Sequence, residues 1–435
     1  MKKLIALILA MLLVFMLPAC SNSVSTTTEN DANTEQQAQS TAAETDKEET
    51  TTIRFVHFRS EDSQIYQTIN KMFEETYPDI KIEMDVESAD QTEYYAVLKT
   101  KLQGNADAVD VYAIHVGPRL QEFAAAGYAM DLTDTAASAY YYEDFLETAR
   151  IGDAIYGLPQ AYNSYVIFYN KDIFAKYGLE VPSTWDEMKA VCNTLSENGE
   201  GTIASGFGEN WVFDLQIDGL LSSYYDGDPY VLEKLESGAL QWTDSGVVNA
   251  YTDLQKMGQD GFFMNGSTGT SYEASIALFT QGKAAMLNTG SWSVGGVLEA
   301  NQEFNMGFFI LPNSQNDYYL IQDVGQSLAV NPNSTKQAAA MQYVAFLSSP
   351  EIAQLYTDAT MQTSTVMNVV SESAENNALN ALIDEFPAVR SASAFVTNPE
   401  FADLYLEIAA RAFNGEDIAS LMAEAQSITN DLLAG

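Results

Sequence analysis

Few residues in this 435-residue chain have the types and spacing that catalysis requires. The two histidines, His57 and His115, lie far apart, and neither has a companion at the spacing of a metal ligand. Gly282-Lys283 is followed by Ala284 instead of Ser or Thr, and no Gly-x-Ser-x-Gly motif occurs, which argues against a phosphate-binding loop and a serine nucleophile. With 60 acidic residues, close carboxylate pairs arise by chance, so none stands out as a glycosidase pair. The sequence predicts no catalytic centre, no metal and no cofactor.

A different chemistry, the recognition of a sugar, suits the aromatic and polar residues of the chain. A pyranose has apolar C–H faces and a rim of hydroxyls, so aromatic faces together with carboxylates or amides complement it. The chain contains 24 tyrosines and 4 tryptophans. Trp292 follows Gly290-Ser291 and precedes Gly295-Gly296, which puts it at the end of an element instead of inside a core. Trp292 is therefore a candidate ring for stacking on a ligand.

The overall charge is strongly acidic, with 20 basic and 60 acidic residues and a net charge of −40. Nucleic acid and anionic lipid surfaces repel such a chain, so neither is expected as a partner. The charge says little about a neutral ligand. Apolar residues make up 46% of the chain, which is ordinary for a globular protein.

The N-terminus has the parts of a secretory signal. Lys2 and Lys3 precede an apolar run over residues 4–17, which is shorter than the roughly 20 residues of a membrane-spanning helix. Residues 17–20, Leu-Pro-Ala-Cys, resemble the bacterial lipobox. That resemblance implies cleavage of a signal peptide, residues 1–19, and attachment of lipid to Cys20. The alternative is an uncleaved membrane anchor.

Residues 20–52 have the composition of a flexible tether. Between Ser21 and Thr52 the chain is mostly Ser, Thr, Asn, Gln, Ala and Glu, and Val24 is the only large aliphatic residue. Such a segment buries too little apolar surface to offset the entropy of ordering, so we expect it to remain disordered. The remaining residues, 53–435, are too many for one ordinary domain and suit two lobes, each with its own core.

Cys192 has no partner for a disulfide bond, because Cys20 is assigned to lipid and the chain has only 2 cysteines. It shares a helical face with Met188, Val191 and Leu195. We therefore expect a buried and unreactive thiol that packs as a small apolar side chain.

Strands and helices alternate at the start of the predicted globular part. The predicted strands are residues 53–58, 81–86 and 109–114, and the helices that follow them cover about 65–73, 95–102 and 119–126. This alternation predicts a largely parallel sheet with helices on both faces, the arrangement of α/β proteins. Residues 401–433 are predicted to be helical, with a break at Asn414-Gly415.

Several short segments occur along the chain in a characteristic order. They are residues 155–159 (Ile-Tyr-Gly-Leu-Pro), 168–172, 177–187, 279–286, 290–292 (Gly-Ser-Trp), 311–312, 325–330 and 348–351. In order and spacing they resemble the extracellular solute-binding proteins of family 1, the sugar-receptor group that includes maltose-binding protein. The likeness extends over essentially all of residues 53–435.

The resemblance implies a periplasmic-binding-protein-like fold, in which two α/β lobes are joined by a crossing hinge and a ligand cleft lies between them. The first lobe would take residues 53–161 and 322–368, and the second would take residues 162–321 and 369–435. The first crossing would fall near residues 161–164, which would make Tyr162 and Asn163 both hinge and cleft residues.

The resemblance also implies which side chains contact the ligand. They are Trp292, Trp211, Glu61, Asp62, His115, Tyr162, Asn163 and Asp323. The alternative for the two tryptophans is plain packing, and for the two acidic residues after the first strand it is compensation of a helix dipole. The histidine replaces an aromatic residue that is frequent in the family at its position. Trp185 and Trp242 are assigned to packing.

The implied function is that of the substrate-binding receptor of an ABC importer, and not that of an enzyme. The protein would capture a mono- or oligosaccharide outside the cell, as a monomer anchored to the membrane by lipid, and deliver it to permease subunits. Two alternatives remain open at this point. One is a receptor of the same fold for a polyol phosphate or a peptide, and the other is a secreted glycoside hydrolase.

Overall fold

The computed structural model describes residues 50–87, 91–105, 107–371 and 373–434. The predicted signal peptide, the predicted lipid attachment at Cys20 and nearly all of the predicted tether lie outside these residues. The last two residues of that tether, Thr51 and Thr52, instead begin the first strand. Among the described residues, no helix combines the length and the apolar character needed to cross a membrane.

In the described part of the chain, the strands follow this order. They are β1 (Thr51–His57), β2 (Ile80–Val86), β3 (Val111–His115), β4 (Arg150–Ile151), β5 (Ala154–Ile155), β6 (Leu158–Pro159), β7 (Ala161–Asn170), β8 (Gly201–Ala204), β9 (Ala284–Gly290), β10 (Met306–Phe309), β11 (Leu320–Val324), β12 (Gln326–Val330), β13 (Thr363–Ser364) and β14 (Ala388–Arg390).

The helices of the same residues connect or follow these strands. They are α1 (Ser63–Thr76), α2 (Gln91–Gly104), α3 (Pro118–Ala125), α4 (Glu143–Leu146), α5 (Lys171–Tyr177), α6 (Trp185–Glu197), α7 (Asp214–Tyr224), α8 (Val231–Glu236), α9 (Ser245–Gln259), α10 (Tyr272–Thr280), α11 (Val294–Ala300), α12 (Gln337–Leu347), α13 (Pro350–Thr360), α14 (Ala374–Glu385), α15 (Pro399–Phe413) and α16 (Ile418–Ala434).

The first sheet has the strand order β2-β1-β3-β12-β6 and forms the first lobe. Strands β1, β2 and β3 are parallel, as the alternation of strands and helices predicts. Strand β12 runs antiparallel to β3, and β6 runs antiparallel to β12. The sheet is therefore mixed, and its strand β12 is reached only after the chain has passed through the other lobe.

The second sheet has the order β14-β11-β7-β9-β8 and forms the second lobe, with β10 and β13 also paired to β7. The long strand β7 pairs with β11 and β13 through its first four residues and with β9 and β10 through the rest. Val166 and Phe168 pack on one face of β7 and Ile167 packs on the other. Both faces are apolar because helices cover both.

Two chain segments cross between the sheets side by side. The first passes from β6 through Gln160 into β7, and the second passes from β11 through Gly325 into β12. They are joined by hydrogen bonds from the Gln160 amide to the Gln326 carbonyl at 2.9 Å and from the Gly325 amide to the Ala161 carbonyl at 3.0 Å. The two lobes with a crossing hinge, implied by the resemblance, are present. The second crossing runs through Gly325.

Each lobe has its own apolar core. Phe55, Tyr66, Phe73, Tyr112 and Tyr343 are fully buried around the first sheet. Trp242, Tyr251, Phe213, Phe262 and Met188 are fully buried in the second lobe. Large side chains from distant segments therefore meet in each lobe, which fixes the strand ends from which the cleft is built.

The residues assigned to packing lie where the sequence predicts. Cys192 is buried, and burial raises the pKa of its thiol to about 12, so it stays protonated. Trp242 is buried and donates from Nε1 to Thr429 Oγ1 at 2.9 Å. Trp185 is 8% exposed and donates to Asp260 Oδ2 at 2.9 Å.

Candidate ligand-binding cleft

A cavity of about 640 Å³ is lined by residues of both lobes. This volume falls within the roughly 300–1,000 Å³ of small-molecule sites. The first lobe contributes residues that directly follow β1 and residues at the end of β3. The second lobe contributes the first residues of α7 and α10, the turn after β9 and one side of α15. The cavity thus lies at the carboxyl ends of β1 and β3, the usual ligand position in α/β sheets.

Six of the eight residues expected to contact a ligand line this cavity. They are Trp292, Trp211, Glu61, His115, Asn163 and Asp323. The other two, Asp62 and Tyr162, do not belong to its lining. The fold therefore gathers into one cleft residues that stand far apart in the sequence.

Tyr162 lies on the opposite face of β7 from Asn163, because successive side chains of a strand alternate between its faces. Its ring packs against Phe145, with ring centres 5.0 Å apart, and its hydroxyl donates to Gln322 Oε1 at 3.0 Å. Asn163 and Tyr165, two residues apart, both line the cavity. Strand alternation thus decides which residues at this crossing face the cleft.

Asp62 lies behind the cavity wall and is only 1% exposed. Its Oδ2 accepts hydrogen bonds from Tyr356 Oη at 2.5 Å and from Gln326 Nε2 at 3.4 Å. Burial raises the pKa of Asp62, and the guanidinium of Arg59 opposes that rise. Arg59 lines the cavity where Asp62 was expected. The nearby charge of Asp62 stabilises the charged form of Arg59.

Arg59 brings a buried positive charge to the cleft. Its Nη1 donates to Gln362 Oε1 at 3.3 Å and lies 4.0 Å from Glu61 Oε1. The guanidinium carbon stands 6.0 Å from the centre of the Trp292 ring. Burial alone would lower the pKa of Arg59, but neighbouring acidic groups, Asp62 first, more than offset it and raise the pKa. The group therefore stays charged.

Four aromatic residues form one side of the cavity, which we call the aromatic wall: Tyr165, Trp211, Tyr272 and Trp292. The Trp211 and Tyr272 ring centres are 4.8 Å apart, and those of Tyr165 and Trp292 are 5.9 Å apart at 89°. Trp292 folds back over Gly290, where a Cβ atom would lie 2.0 Å from the indole ring. Only glycine leaves room there for the ring to reach the cleft.

Two polar anchors orient the aromatic wall. Glu209 accepts hydrogen bonds from Trp211 Nε1 at 2.9 Å and from the Tyr272 amide at 2.8 Å. Tyr272 Oη accepts from Trp292 Nε1 at 2.5 Å and lies 2.6 Å from Thr289 Oγ1. Both indole N–H groups are satisfied within the protein, so the rings offer a ligand their faces and not their polar edges.

Asn163 and Asp323 stand opposite each other on β7 and β11, and we call them the crossing pair. Asn163 is 1% exposed, and its Oδ1 accepts from Ser291 Oγ at 3.2 Å. Among the described residues, Asn163 Nδ2 and Asp323 Oδ1 are buried and have no hydrogen-bond partner. A buried donor or acceptor without a partner lowers stability. A ligand hydroxyl, which both donates and accepts, would satisfy either atom.

Gly325 lets the two lobes approach at the crossing. A Cβ atom there would lie 2.7 Å from Asn163 Nδ2 and 2.9 Å from Arg59 Nη2. A Cβ atom at this position would displace the ends of both side chains, so glycine allows Asn163 and Arg59 to approach each other this closely.

His115 is held as a neutral ring. Tyr95 Oη accepts a hydrogen bond from the His115 amide at 3.1 Å and is hydrogen-bonded to His115 Nδ1 at 2.7 Å. The ring stacks on Phe58 with centres 4.5 Å apart. Burial first, and then the positive charges of Arg59 and Arg119, lower the pKa of His115 to about 3.

Several residues of the lining were not singled out from the sequence. They are Arg59, Tyr165, Glu209, Asp214, Tyr272, Glu273 and Tyr405. Tyr165 had a readable signal, since it lies two residues beyond Asn163 on the same strand. Tyr405 had none, because α15 reaches the cleft only through the fold, where its hydroxyl donates to Asp214 Oδ1 at 2.8 Å.

The charged groups of the cavity lining are mostly acidic. The carboxylates are Glu61, Glu209, Asp214, Glu273, Glu299, Asp323 and Asp403, and the guanidinium groups are those of Arg59 and Arg119. Over the residues that the structure describes, no cluster of three or more His, Cys, Asp or Glu side chains has the arrangement of a metal site. The cleft thus offers aromatic faces and hydrogen-bond acceptors.

Solved structures of the same fold are bound to or named for sugars. A solute-binding protein in complex with raffinose matches with a TM-score of 0.74 and 21% identity, over 88% of this chain and 100% of the other. A chitin oligosaccharide binding protein matches with a TM-score of 0.75 and 20% identity, over 89% and 99%. At these identities the likeness establishes the fold alone.

Sequence relatives carry similar names. The multiple sugar-binding protein of Streptococcus mutans is 24% identical over 319 residues, which cover 72% of this chain and 74% of the relative. The galactooligosaccharide-binding protein of Bacillus subtilis is 26% identical over 243 residues, which cover 54% and 55%. The family model described as bacterial extracellular solute-binding protein matches residues 58–354. The chain therefore belongs to the family of bacterial extracellular solute-binding proteins.

Proposed function

We propose that this protein is the carbohydrate-binding receptor of an ABC importer, which captures a mono- or oligosaccharide outside the cell and delivers it to permease subunits in the membrane. The observation that carries the proposal is the aromatic wall and the crossing pair in one cleft of about 640 Å³. The membership of the extracellular solute-binding family and the sugar-binding relatives support the same class of ligand.

In the proposed complex, the aromatic wall packs against the apolar C–H face of a sugar ring. The two indoles have their N–H groups engaged by Glu209 and Tyr272, so stacking is the contact they have left to make. The crossing pair receives hydroxyl groups at Asn163 Nδ2 and Asp323 Oδ1, which removes two unpaired buried atoms from the ligand-free protein. The uncharged imidazole of His115 adds a further polar contact from the first lobe.

A phosphate-bearing ligand fits this cleft poorly, because both arginines of the lining are already engaged. Arg59 lies 4.0 Å from Glu61 Oε1, and Arg119 Nη2 donates to Asp403 Oδ1 at 3.1 Å. A phosphate would have to displace these carboxylates and would then lie among the remaining ones. We therefore propose an uncharged or basic ligand instead of a polyol phosphate.

We propose that binding closes the two lobes around the ligand. The lobes are assigned as residues 53–161 with 322–368 and residues 162–321 with 369–435, in agreement with two separate apolar cores. A ligand that touches the aromatic wall of the second lobe and His115 of the first favours the closed arrangement, since only closure makes both contacts. The permease would recognise the closed form.

We further propose that the receptor acts as a monomer outside the cell, anchored by lipid at Cys20 and without turnover of the sugar. The resemblance of residues 17–20 to a lipobox supports the anchor. Asp214, the most hydrogen-bonded acid of the lining, accepts from the hydroxyls of Tyr405, Tyr165 and Ser393, which suits a structural carboxylate better than a nucleophile.

The test is thermal unfolding of the protein across a panel of mono- and oligosaccharides, with peptides and polyol phosphates alongside. A ligand at a hundred times its dissociation constant adds about 2.7 kcal/mol to the free energy of unfolding. We expect a shift with one class of sugar and no release of product. The variants Trp292→Ala and Trp211→Ala should weaken binding at least roughly tenfold, because each removes a stacking face.

The matched control is Tyr142→Ala, which removes an aromatic ring that is 48% exposed and lies outside the cavity lining. It should bind like the unchanged protein. If only peptides or phosphates shift the unfolding temperature, the ligand is not a carbohydrate. If the protein turns over a glycoside, it is a hydrolase and not a receptor.

A further inference from the structure

Acidic side chains outnumber basic ones in the lining of the cleft. Seven carboxylates and two guanidinium groups line it, and both guanidiniums are paired. Among the acids, Asp214 is occupied by tyrosine hydroxyls, Asp403 by Arg119, and Glu209 by the N–H groups of the aromatic wall. The other acids of the lining are Asp323, Glu273 and Glu299, together with Glu61, which lies 4.0 Å from Arg59.

Three of these acids come from separate elements of the fold, and we call them the acidic edge: Glu61, Glu273 and Glu299. Glu61 follows β1, Glu273 is in the first turn of α10, and Glu299 is on α11. A Cβ atom at Gly296, one helical turn before Glu299, would lie 3.9 Å from Glu61 Cβ. Segments of both lobes therefore present negative charge to the same volume.

The acidic edge has few internal partners. Glu61 Oε1 lies 4.0 Å from Arg59 Nη1, and Glu273 Oε1 accepts from Ser60 Oγ at 3.2 Å. Glu299 makes no ion pair or side-chain hydrogen bond within the described ranges. Burial, followed by repulsion from Asp62 and Glu273, raises the pKa of Glu61 to about 7 against the pull of Arg59. Mutual repulsion is thus present in the empty cleft.

Two further features of the same cavity suit a ligand that carries hydroxyls together with a positive charge. The faces of Trp211, Trp292 and Tyr165 attract cations as well as C–H groups, through the electron density of their rings. The crossing pair is buried with Asn163 Nδ2 and Asp323 Oδ1 unpaired, so a polar ligand is needed to complete it.

We propose that the carbohydrate taken by this cleft carries a protonated amine, so that its substrate class is that of basic amino sugars, with the ammonium group at the acidic edge. An ammonium has three N–H donors and no acceptor, which matches a set of carboxylates that have no donors of their own. A charge-assisted hydrogen bond is also roughly twice as strong as a neutral one. This inference rests on the proposed function.

The test is calorimetric titration of the full protein with sugars that differ in one group. Glucose, N-acetylglucosamine and glucosamine, the corresponding galactose series and their β-1,4-linked oligomers keep ring and linkage while the group at carbon 2 is hydroxyl, acetamide or ammonium. Spermidine serves as an amine without a sugar ring. We expect an amino form to bind roughly tenfold or more tightly than its hydroxyl counterpart.

The double variant Glu273→Gln/Glu299→Gln should lose that preference, so that amino forms bind no more tightly than their hydroxyl counterparts. Glu197→Gln/Glu303→Gln is the matched control, because it removes the same charge from two exposed acids outside the lining. Amino forms that bind no better than hydroxyl forms would overturn this inference and leave the sugar receptor standing. Binding of spermidine alone, or silence across the whole panel, would overturn both.

Discussion

Two acidic side chains of the cleft, Glu61 and Asp323, lie in surroundings that favour their protonated forms. Burial is the main cause in both cases and raises the pKa of each to about 7. The neighbouring guanidiniums, Arg59 for Glu61 and Arg390 for Asp323, pull in the other direction without cancelling the effect of burial. The ionised forms of Glu61 and Asp323 therefore lower the free energy of unfolding of the ligand-free protein, which is common for charged groups in binding sites.

Glu61→Gln tests this cost through its dependence on pH. The unfolded chain ionises Glu61 near the ordinary value of 4.5 and the folded protein near 7, so the folded state binds more protons between those values. The free energy of unfolding then falls as pH rises through this window. We expect Glu61→Gln to stabilise the ligand-free protein by about 1 kcal/mol at pH 8 and to change little at pH 4.

Urea unfolding of the ligand-free protein at both pH values measures the effect. Glu303→Gln, which removes an exposed acid outside the cleft, should show no such difference between the two pH values. An equal change at both pH values for Glu61→Gln would mean that ionisation of this residue is not what destabilises the folded state.

Single residues were predictable where the sequence itself marks an exposed position. The glycines around Trp292 indicated a ring outside the core, and Trp292 lines the cavity. The sequence did not separate Asn163 from Tyr162, because strand alternation selects one of them only once the register of β7 is known. The sequence predicts Asp62 and not Arg59 as a ligand contact. The conformation of the turn after β1 decides which of these side chains faces the cavity, and the sequence does not show that conformation.

At the scale of elements, the two crossing segments set the geometry of the site. They are joined by the paired amides and carbonyls around Gln160 and Gly325, and the crossing pair lies directly beside them. Elements with strong local patterns, such as α1, α15 and α16, were predictable to within a few residues at their ends. The antiparallel direction of β12 was not predictable from the sequence, because it depends on the path by which the chain returns from the second lobe to the first.

Gly325→Ala tests the importance of the close approach at the crossing. The added Cβ would lie 2.7 Å from Asn163 Nδ2 and 2.9 Å from Arg59 Nη2, so both side chains must leave their positions in the cleft. We expect at least roughly tenfold weaker ligand binding and a loss of about 1–3 kcal/mol in the free energy of unfolding. Titration calorimetry and thermal unfolding provide the two readouts.

Gly269→Ala is the matched control, since a Cβ atom there would meet nothing within 4 Å. Unchanged affinity in Gly325→Ala would show that the crossing tolerates a wider separation and that the crossing pair does not depend on it.

At the scale of the whole molecule, charge is the dominant feature. A net charge of −40 on 435 residues makes the compact state repel itself. Exposed ion pairs, such as Lys71 with Glu75, add little stability to oppose this repulsion.

Raising sodium chloride from about 0.01 M to about 0.15 M should therefore stabilise the ligand-free protein, because the screening length shortens from about 30 Å to about 8 Å. We expect the melting temperature to rise by a few degrees, measured by calorimetry at pH 8. A potassium chloride series should give the same rise, since screening depends on ionic strength and not on the cation. A fall in melting temperature would mean that ion pairs outweigh general repulsion.

The strand order of the first sheet also has a consequence for how the chain folds. Strand β12 lies between β3 and β6, so the two earlier parts of that sheet are joined only after residue 330 is available. Contacts between such distant segments form slowly, because a long loop must close before they stabilise anything. The lobe that the chain begins first is thus completed late, and until then β3 has an unpaired edge that invites aggregation. A chain exported before it folds would pass the membrane without that edge ever being offered to the cytoplasm.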